Sequence, residues 1–267
     1  MDAELNHEVL DDVAFALQKG LHDKIRTMSF SANEISPIIE YKKMACKYEA
    51  PSIKSIIDCR TNLEDQFLRA LEGTSKIWLS RTQPAIGLYH ASSDEEKMST
   101  KFVEFSLAAQ KAAQGVGFDA SVSRKIIAAM TEQYNNIIEH AEFCEGAIVA
   151  WKADPNGFEF CVSDLGIGIL SSLKKAGDFK DIEDEGEALK LAIKEGVSRH
   201  GVGLGSGYGF RPIFVGLANL RSDLRFRSGD HALVIEGGYP DTMKAGIKQK
   251  VGVDGFHASV RSFLGRF

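Results

Sequence analysis

Glu132-Gln-Tyr-Asn-Asn136-Ile-Ile-Glu-His140-Ala141 is the stretch from which the rest of the chain is read. Glu132, Asn136 and His140 are spaced four apart and fall on one face of a helix, while Met130, Ile137 and Ile138 occupy other angles and suit a core. A carboxamide beside a carboxylate on a cleft-facing helix needs something to pair with. Asn136 offers a carbonyl oxygen of the kind a hydrated magnesium ion takes. Glu132, one turn earlier, is placed to accept a proton from an attacking water or hydroxyl. The same spacing also fits a solvated polar face, so the stretch gains meaning from two others.

The first of these is Asp164-Leu-Gly166-Ile-Gly168, which follows the strand-like run 158–163. A carboxylate at a strand end puts an acceptor at the mouth of a cleft, suited to the exocyclic amine of adenine. Gly166 and Gly168 let the backbone turn and approach a flat ring. A simple Asp-x-Gly turn is the alternative. The second is His200-Gly201-Val-Gly203-Leu204-Gly205-Ser-Gly207-Tyr-Gly209, with glycine at every second position. Such a loop can aim successive backbone N–H groups at one anion, backed by the positive end of the helix behind it. Arg199 and His200 would add charge to a phosphate site or lie in solvent. No Gly-Lys-Ser/Thr follows, so the loop is not a Walker A motif, and no strand leads into it as a dinucleotide fingerprint requires. The alternative is a flexible linker. Taken together, the three stretches predict a pocket for ATP and magnesium.

In order, spacing and residue type these stretches resemble the N, G1 and G2 boxes of the GHKL ATPase/kinase superfamily, over about residues 97 to 238. The resemblance implies an α+β fold: a two-layer α/β sandwich of helices over a mixed, mostly antiparallel sheet. It implies that Asn136 holds magnesium, Asp164 reads adenine, and Gly203 and Gly205 line the phosphates. Glu132 matches the general base of members that hydrolyse ATP or phosphorylate serine. Residues 169–200 would be the ATP lid. Where members carry Gly-Thr before the last strand, this chain has Ser228-Gly-Asp230-His231, and the usual Gly-Leu-Gly-Leu becomes Gly203-Leu204-Gly205-Ser206.

Outward from the motifs, the alternation of strand and helix patterns over residues 1–95 predicts a small α/β N-terminal unit. A helix is expected over 4–24, strands over 25–30 and 52–59, a helix from Ser31 or Asn33 to Tyr48, and another over 62–71 before a short strand at 76–79. A linker at 91–97 opens the ATP-binding domain, 96–240. That domain starts with a helix over 99–114 and a long one capped by Asp119 or Ser121. A hairpin turns at Asp154-Pro155-Asn156-Gly157. The excursion 169–200 holds one or two helices and the acidic run 181–187. A helix should follow Gly209, and a second hairpin should turn at 228–230. Residues 241–267 read as a glycine-rich tail.

The chain's 267 residues are 44% hydrophobic and 26% charged, enough for a sizeable core, and its net charge of −5 gives no basic excess for nucleic acid. The four cysteines lack Cys-x-x-Cys spacing, so zinc is not expected. The polar N-terminus is unlike a signal peptide and no apolar run approaches 20 residues, so the expected location is cytoplasmic, away from membranes. No phosphoacceptor-bearing helical hairpin follows His7 or His22, which argues against a soluble histidine kinase. Only about thirty residues follow Gly237, too few for a topoisomerase-type transducer. What remains is a compact regulatory member, similar to stand-alone anti-sigma-type proteins of bacteria. It would hydrolyse ATP slowly or phosphorylate a protein partner, as a monomer or homodimer. The alternative is a nucleotide-gated binding module without turnover.

Overall fold

A computed structural model describes residues 3–59, 61–80, 82–91, 99–141, 146–175, 179–192, 220–236 and 244–264. Its centre is a six-stranded sheet: β3 (Ile77–Leu79), β4 (Ala85–His90), β5 (Ile148–Asp154), β6 (Gly157–Ser163), β7 (Ser222–Glu236) and β8 (Lys244–Phe263). The strand order is β3-β4-β5-β6-β8-β7 and every neighbouring pair is antiparallel. The mixed pairing expected of this sheet is therefore not found among the described strands. The parallel pair lies apart, between β1 (Ala3–Glu4) and β2 (Phe30–Ser31).

Both faces of the sheet are covered. Along β5, Val149 and Trp151 enter one core while Ile148 and Ala150 enter the other, as the two-residue period of a strand requires. The first core lies under α6 (Thr100–Val116) and α7 (Ala120–His140) and is built around Phe102, Phe105, Tyr134 and Phe160. The second lies under the N-terminal helices α1 (His7–Gln18), α2 (His22–Arg26), α3 (Ser36–Tyr48), α4 (Ile53–Ile56) and α5 (Asn62–Glu72). The sheet also continues across the boundary expected near residue 95, because β3 and β4 pair onward to β5.

Several local expectations change. The helix expected over 4–24 is interrupted at Gly20, whose φ of 75° stops α1, and Ile25 lies in α2 rather than in a strand. The alternation read as a strand at 52–59 forms α4, capped by Ser52, because Ile53 and Ile56 also lie one helical turn apart and both are buried. Ile57 alone keeps a β-bridge, to Phe30. Instead of a second hairpin at 228–230, β7 runs straight through, with irregular pairing between Ser228 and His231. The largest change is at the C-terminus. The expected tail is β8, a 20-residue strand inserted between β6 and β7. The helices α6 and α7, the Asp119 cap and the 154–157 hairpin are as expected. The excursion contributes α8 (Gly168–Lys175) and α9 (Glu185–Ala192), and the helix expected after Gly209 lies outside the described residues. Among the described residues, no helix is long and apolar enough to cross a membrane.

Candidate functional site

The stretch 132–141 forms the last turns of α7, and the structure sets its end against the turn that leaves β6. The amide of Ile167 donates to the carbonyl oxygen of Ala141 at 3.2 Å. Gly166 lies so close that a Cβ there would meet the same oxygen at 2.4 Å, which only glycine avoids. The turn itself is an Asx turn, with Gly166 N donating to Asp164 Oδ1 at 2.7 Å. Asp164 is anchored to β8 as well, its own amide donating to Phe256 O at 2.9 Å. Gly168 then opens α8, and the next amide, Ile169, donates to the hydroxyl of Ser228 at 2.9 Å. Two of the three stretches thus form one wall. Asn136 and Glu132 are half-buried on α7, five and nine residues before Ala141, or roughly 8 and 14 Å back along the axis at ~1.5 Å per residue. His140 ends the helix, but its side chain lies outside the described residues. Arg199, His200, Gly201, Gly203, Leu204 and Gly205 also lie outside them.

Asp164 is 3% exposed, and burial pushes its carboxyl above the ordinary range. Lys43 of α3 and the backbone amides of Gly166 and Phe256 oppose that rise. A sheltered acceptor at the end of a strand fits the amine edge of a purine. Asn136, half-buried on α7, has one side-chain carbonyl oxygen, and a magnesium ion held by one such oxygen would keep water and phosphate oxygens. It holds no group of three His, Cys, Asp or Glu able to cage an ion, among the described residues. Ser228 is a residue that sequence reasoning set aside as a departure. Its hydroxyl stands at the start of α8, and Glu185 of α9 joins it there, its carboxyl raised by burial against the pull of Ser228.

A charged layer lies on the opposite face of the sheet. Glu40 of α3 is fully buried. It accepts from Arg225 Nε at 3.0 Å and Nη2 at 3.1 Å and also pairs with Arg227. Burial alone would raise its carboxyl, but Arg225 and Arg227 more than cancel this and hold it well below the ordinary range. Asp11 of α1 accepts from Arg225 at 2.7 Å and pairs with Lys250 at 2.6 Å. Ser36 Oγ lies 2.9 Å from His257 Nε2, and burial holds that imidazole well below its ordinary value. A cavity of about 520 Å³ opens beside this layer, between α1 and the β7–β8 ribbon, with Asp11, Glu159, Arg225 and Arg261 in its walls. The N-terminus of α3 is completed from β6: Glu159 accepts from Ile35 N at 3.1 Å and Ser36 N at 2.8 Å. The readable signal was the spacing of Ser36, Glu40, Lys43 and Lys47, one polar stripe that resembles a solvated face, yet Ser36, Glu40 and Lys43 are buried against the sheet and only Lys47 is exposed.

The fold defines an α+β protein whose antiparallel sheet is covered by helices on both faces. Comparison of the chain with protein-family models, with curated proteins and with solved structures finds no match. The geometry of the site therefore carries the functional reading.

Proposed function

We propose that the chain is an ATP- and magnesium-binding regulatory protein of the GHKL type. It hydrolyses ATP slowly or phosphorylates a serine-bearing protein partner in the cytoplasm. The observation that supports this most is the seam between Ala141 and Gly166, which sets the end of α7 against the Asp164 turn. In this reading Asp164 accepts from the adenine amine, Asn136 gives an oxygen to magnesium, and the glycines from 201 to 205 enclose the phosphates. Bound ATP and magnesium would supply an electrophilic γ-phosphorus with its charge partly neutralised. Glu132 would orient the attacking hydroxyl or water and take its proton. A magnesium held by one side-chain oxygen keeps most of its shell for water and phosphate, so metal affinity should be weak without nucleotide.

Calorimetric titration with ATP and magnesium tests the reading. Wild type should bind, and Asp164→Asn should lose its preference for ATP over GTP. Glu132→Ala should still bind while phosphate release falls by ~100-fold or more, the usual scale for a lost general base. Binding without any turnover in wild type would replace the enzyme with a nucleotide-gated binding module. No heat from wild type would end the nucleotide reading.

A further inference from the structure

The helix α3 lays one polar stripe along β8: Ser36, Glu40, Lys43 and Lys47, spaced four, three and four apart. Three of the four have partners on β7 or β8. Ser36 meets His257, Glu40 meets Arg225 and Arg227, and Lys47 Nζ meets Asp254 at 2.7 Å. Tyr48 adds a bond from its hydroxyl to Gly252 O. Lys43 stands between Glu40 and Lys47, is 5% exposed, and its Nζ has no hydrogen-bond partner among the described residues. The segment that Lys47 and Tyr48 grip leads directly to Gly255, which has φ +67° and touches the Asp164 carboxylate. A Cβ there would stand 2.5 Å from Oδ1. Lys43 therefore lies on the stripe between Glu40, which reaches His257, and Lys47, which reaches Asp254, and the β8 residues between those two, Gly255 and Phe256, are the ones that hold Asp164.

We propose that Lys43 is a positioning residue of the nucleotide site: its buried ammonium stands behind Asp164 and keeps that carboxylate an acceptor for the adenine amine. The inference rests on the nucleotide reading above and extends it, because it makes the N-terminal helical layer part of the pocket. The charges acting on Lys43 are those of Asp164, Glu40 on its own helix, Arg227 on β7 and Asp254 on β8. Burial lowers the amine to about 8, with Asp164 first among the groups that pull it back up. Among the described residues, Lys43 is likewise the one charged side chain acting on Asp164. A buried acid and a buried base near each other sustain each other's charge.

The test pairs Lys43→Met with Lys43→Arg. Carbon-13 NMR of the Asp164 carboxyl, without nucleotide, should show its midpoint below neutrality in wild type, raised in Lys43→Met and restored in Lys43→Arg. ATP affinity should then fall about tenfold in Lys43→Met at pH 6 and recover towards pH 8, while Lys43→Arg stays within about threefold of wild type throughout. An unchanged Asp164 midpoint in Lys43→Met overturns the inference and leaves the nucleotide reading standing. A moved midpoint with unchanged ATP affinity does the same. No ATP binding by wild type overturns both, whatever the carboxyl does. Should Lys43→Met not fold, the wild-type titration still decides: an Asp164 carboxyl protonated at pH 7 overturns the inference.

Discussion

The helices α3 and α7 pack against opposite faces of the same sheet, and they are stabilised by different means. On α7, Ile126, Met130, Tyr134 and Ile137 enter a dry aromatic core, where the Tyr134 and Phe102 rings stack at 3.8 Å. On α3, Glu40 turns its charge towards the sheet and meets Arg225, Arg227 and His257, and Lys43 is buried one turn further on. An apolar face tolerates loss of a contact in proportion to the volume removed. A buried ionic face does not, because each group that loses its partner remains charged in a poor solvent. The side with the motifs is therefore the mechanically ordinary one, and the side that looked plain is the sensitive one.

The largest expected effect follows from that difference. Among the described residues, Glu40→Ala leaves Arg225 and Arg227 with only Asp11 for a side-chain carboxylate, so it should destabilise the fold by roughly 3–5 kcal/mol in urea unfolding. Replacing Glu40, Arg225 and Arg227 together by Met or Leu should recover most of that loss. If the triple replacement is as damaging as Glu40→Ala alone, packing volume rather than uncompensated charge governs this face, and the contrast with α7 collapses.

Next in size is a pH effect at the α3 N-terminus. Burial, with Glu34 adding to it, raises the Glu159 carboxyl to about 7, against the pull of the Ser36 and Ile35 amides and of Lys152. The folded value lies above the ordinary 4.5, so the folded state favours the protonated acid. Its stabilising contribution is complete below pH 4.5 and is lost as the pH rises through 7. Unfolding free energy should therefore fall by up to about 3 kcal/mol between pH 4.5 and 8, and Glu159→Gln should flatten the curve across that window. No comparable dependence should come from α7, whose buried face carries no titratable group among the described residues except Tyr134.

The two helices also differ in how much of them could be read beforehand. The helix over 132–140 was legible because its apolar positions recur at helical spacing and point inward. The hairpin at 154–157 was legible from its turn chemistry, and α6 from its periodicity. The charged stripe 36–47 went unread: polar residues at helical spacing normally mean solvent, and nothing local reveals that Arg225, Arg227 and His257 wait across the interface. Residues 244–263 failed differently. Gly246, Gly252 and Gly255 break the alternation and suggest a loose tail, yet Gly255 is where β8 passes Asp164, with Gly252 three residues before it at the hydroxyl of Tyr48. Glycines that serve a close approach look locally like flexibility. At 52–59, isoleucines that suit either period were resolved by the Ser52 cap. At the Ala141–Gly166 seam, Asp164 and Gly166 were singled out from the sequence, whereas the place of Ser228 became visible only once β7 was seen to run past the start of α8.

The smallest expected effect separates the scaffold from the site on α7 itself. Asp119 Oδ1 accepts from Ser121 N at 2.7 Å and Val122 N at 2.8 Å, satisfying two amides that the helix cannot. Asp119→Ala should therefore cost about 1 kcal/mol of stability. The cap lies at the far end of a 21-residue helix, about 30 Å from the Ala141–Gly166 seam. A rigid helix anchored by its aromatic face need not transmit the loss, so ATP affinity in Asp119→Ala should match wild type at temperatures well below the midpoint. If affinity falls together with stability, α7 frays as one unit and its core does not isolate the site. The apolar face would then be as unforgiving as the ionic one, and the distinction between the two helices would rest on chemistry alone.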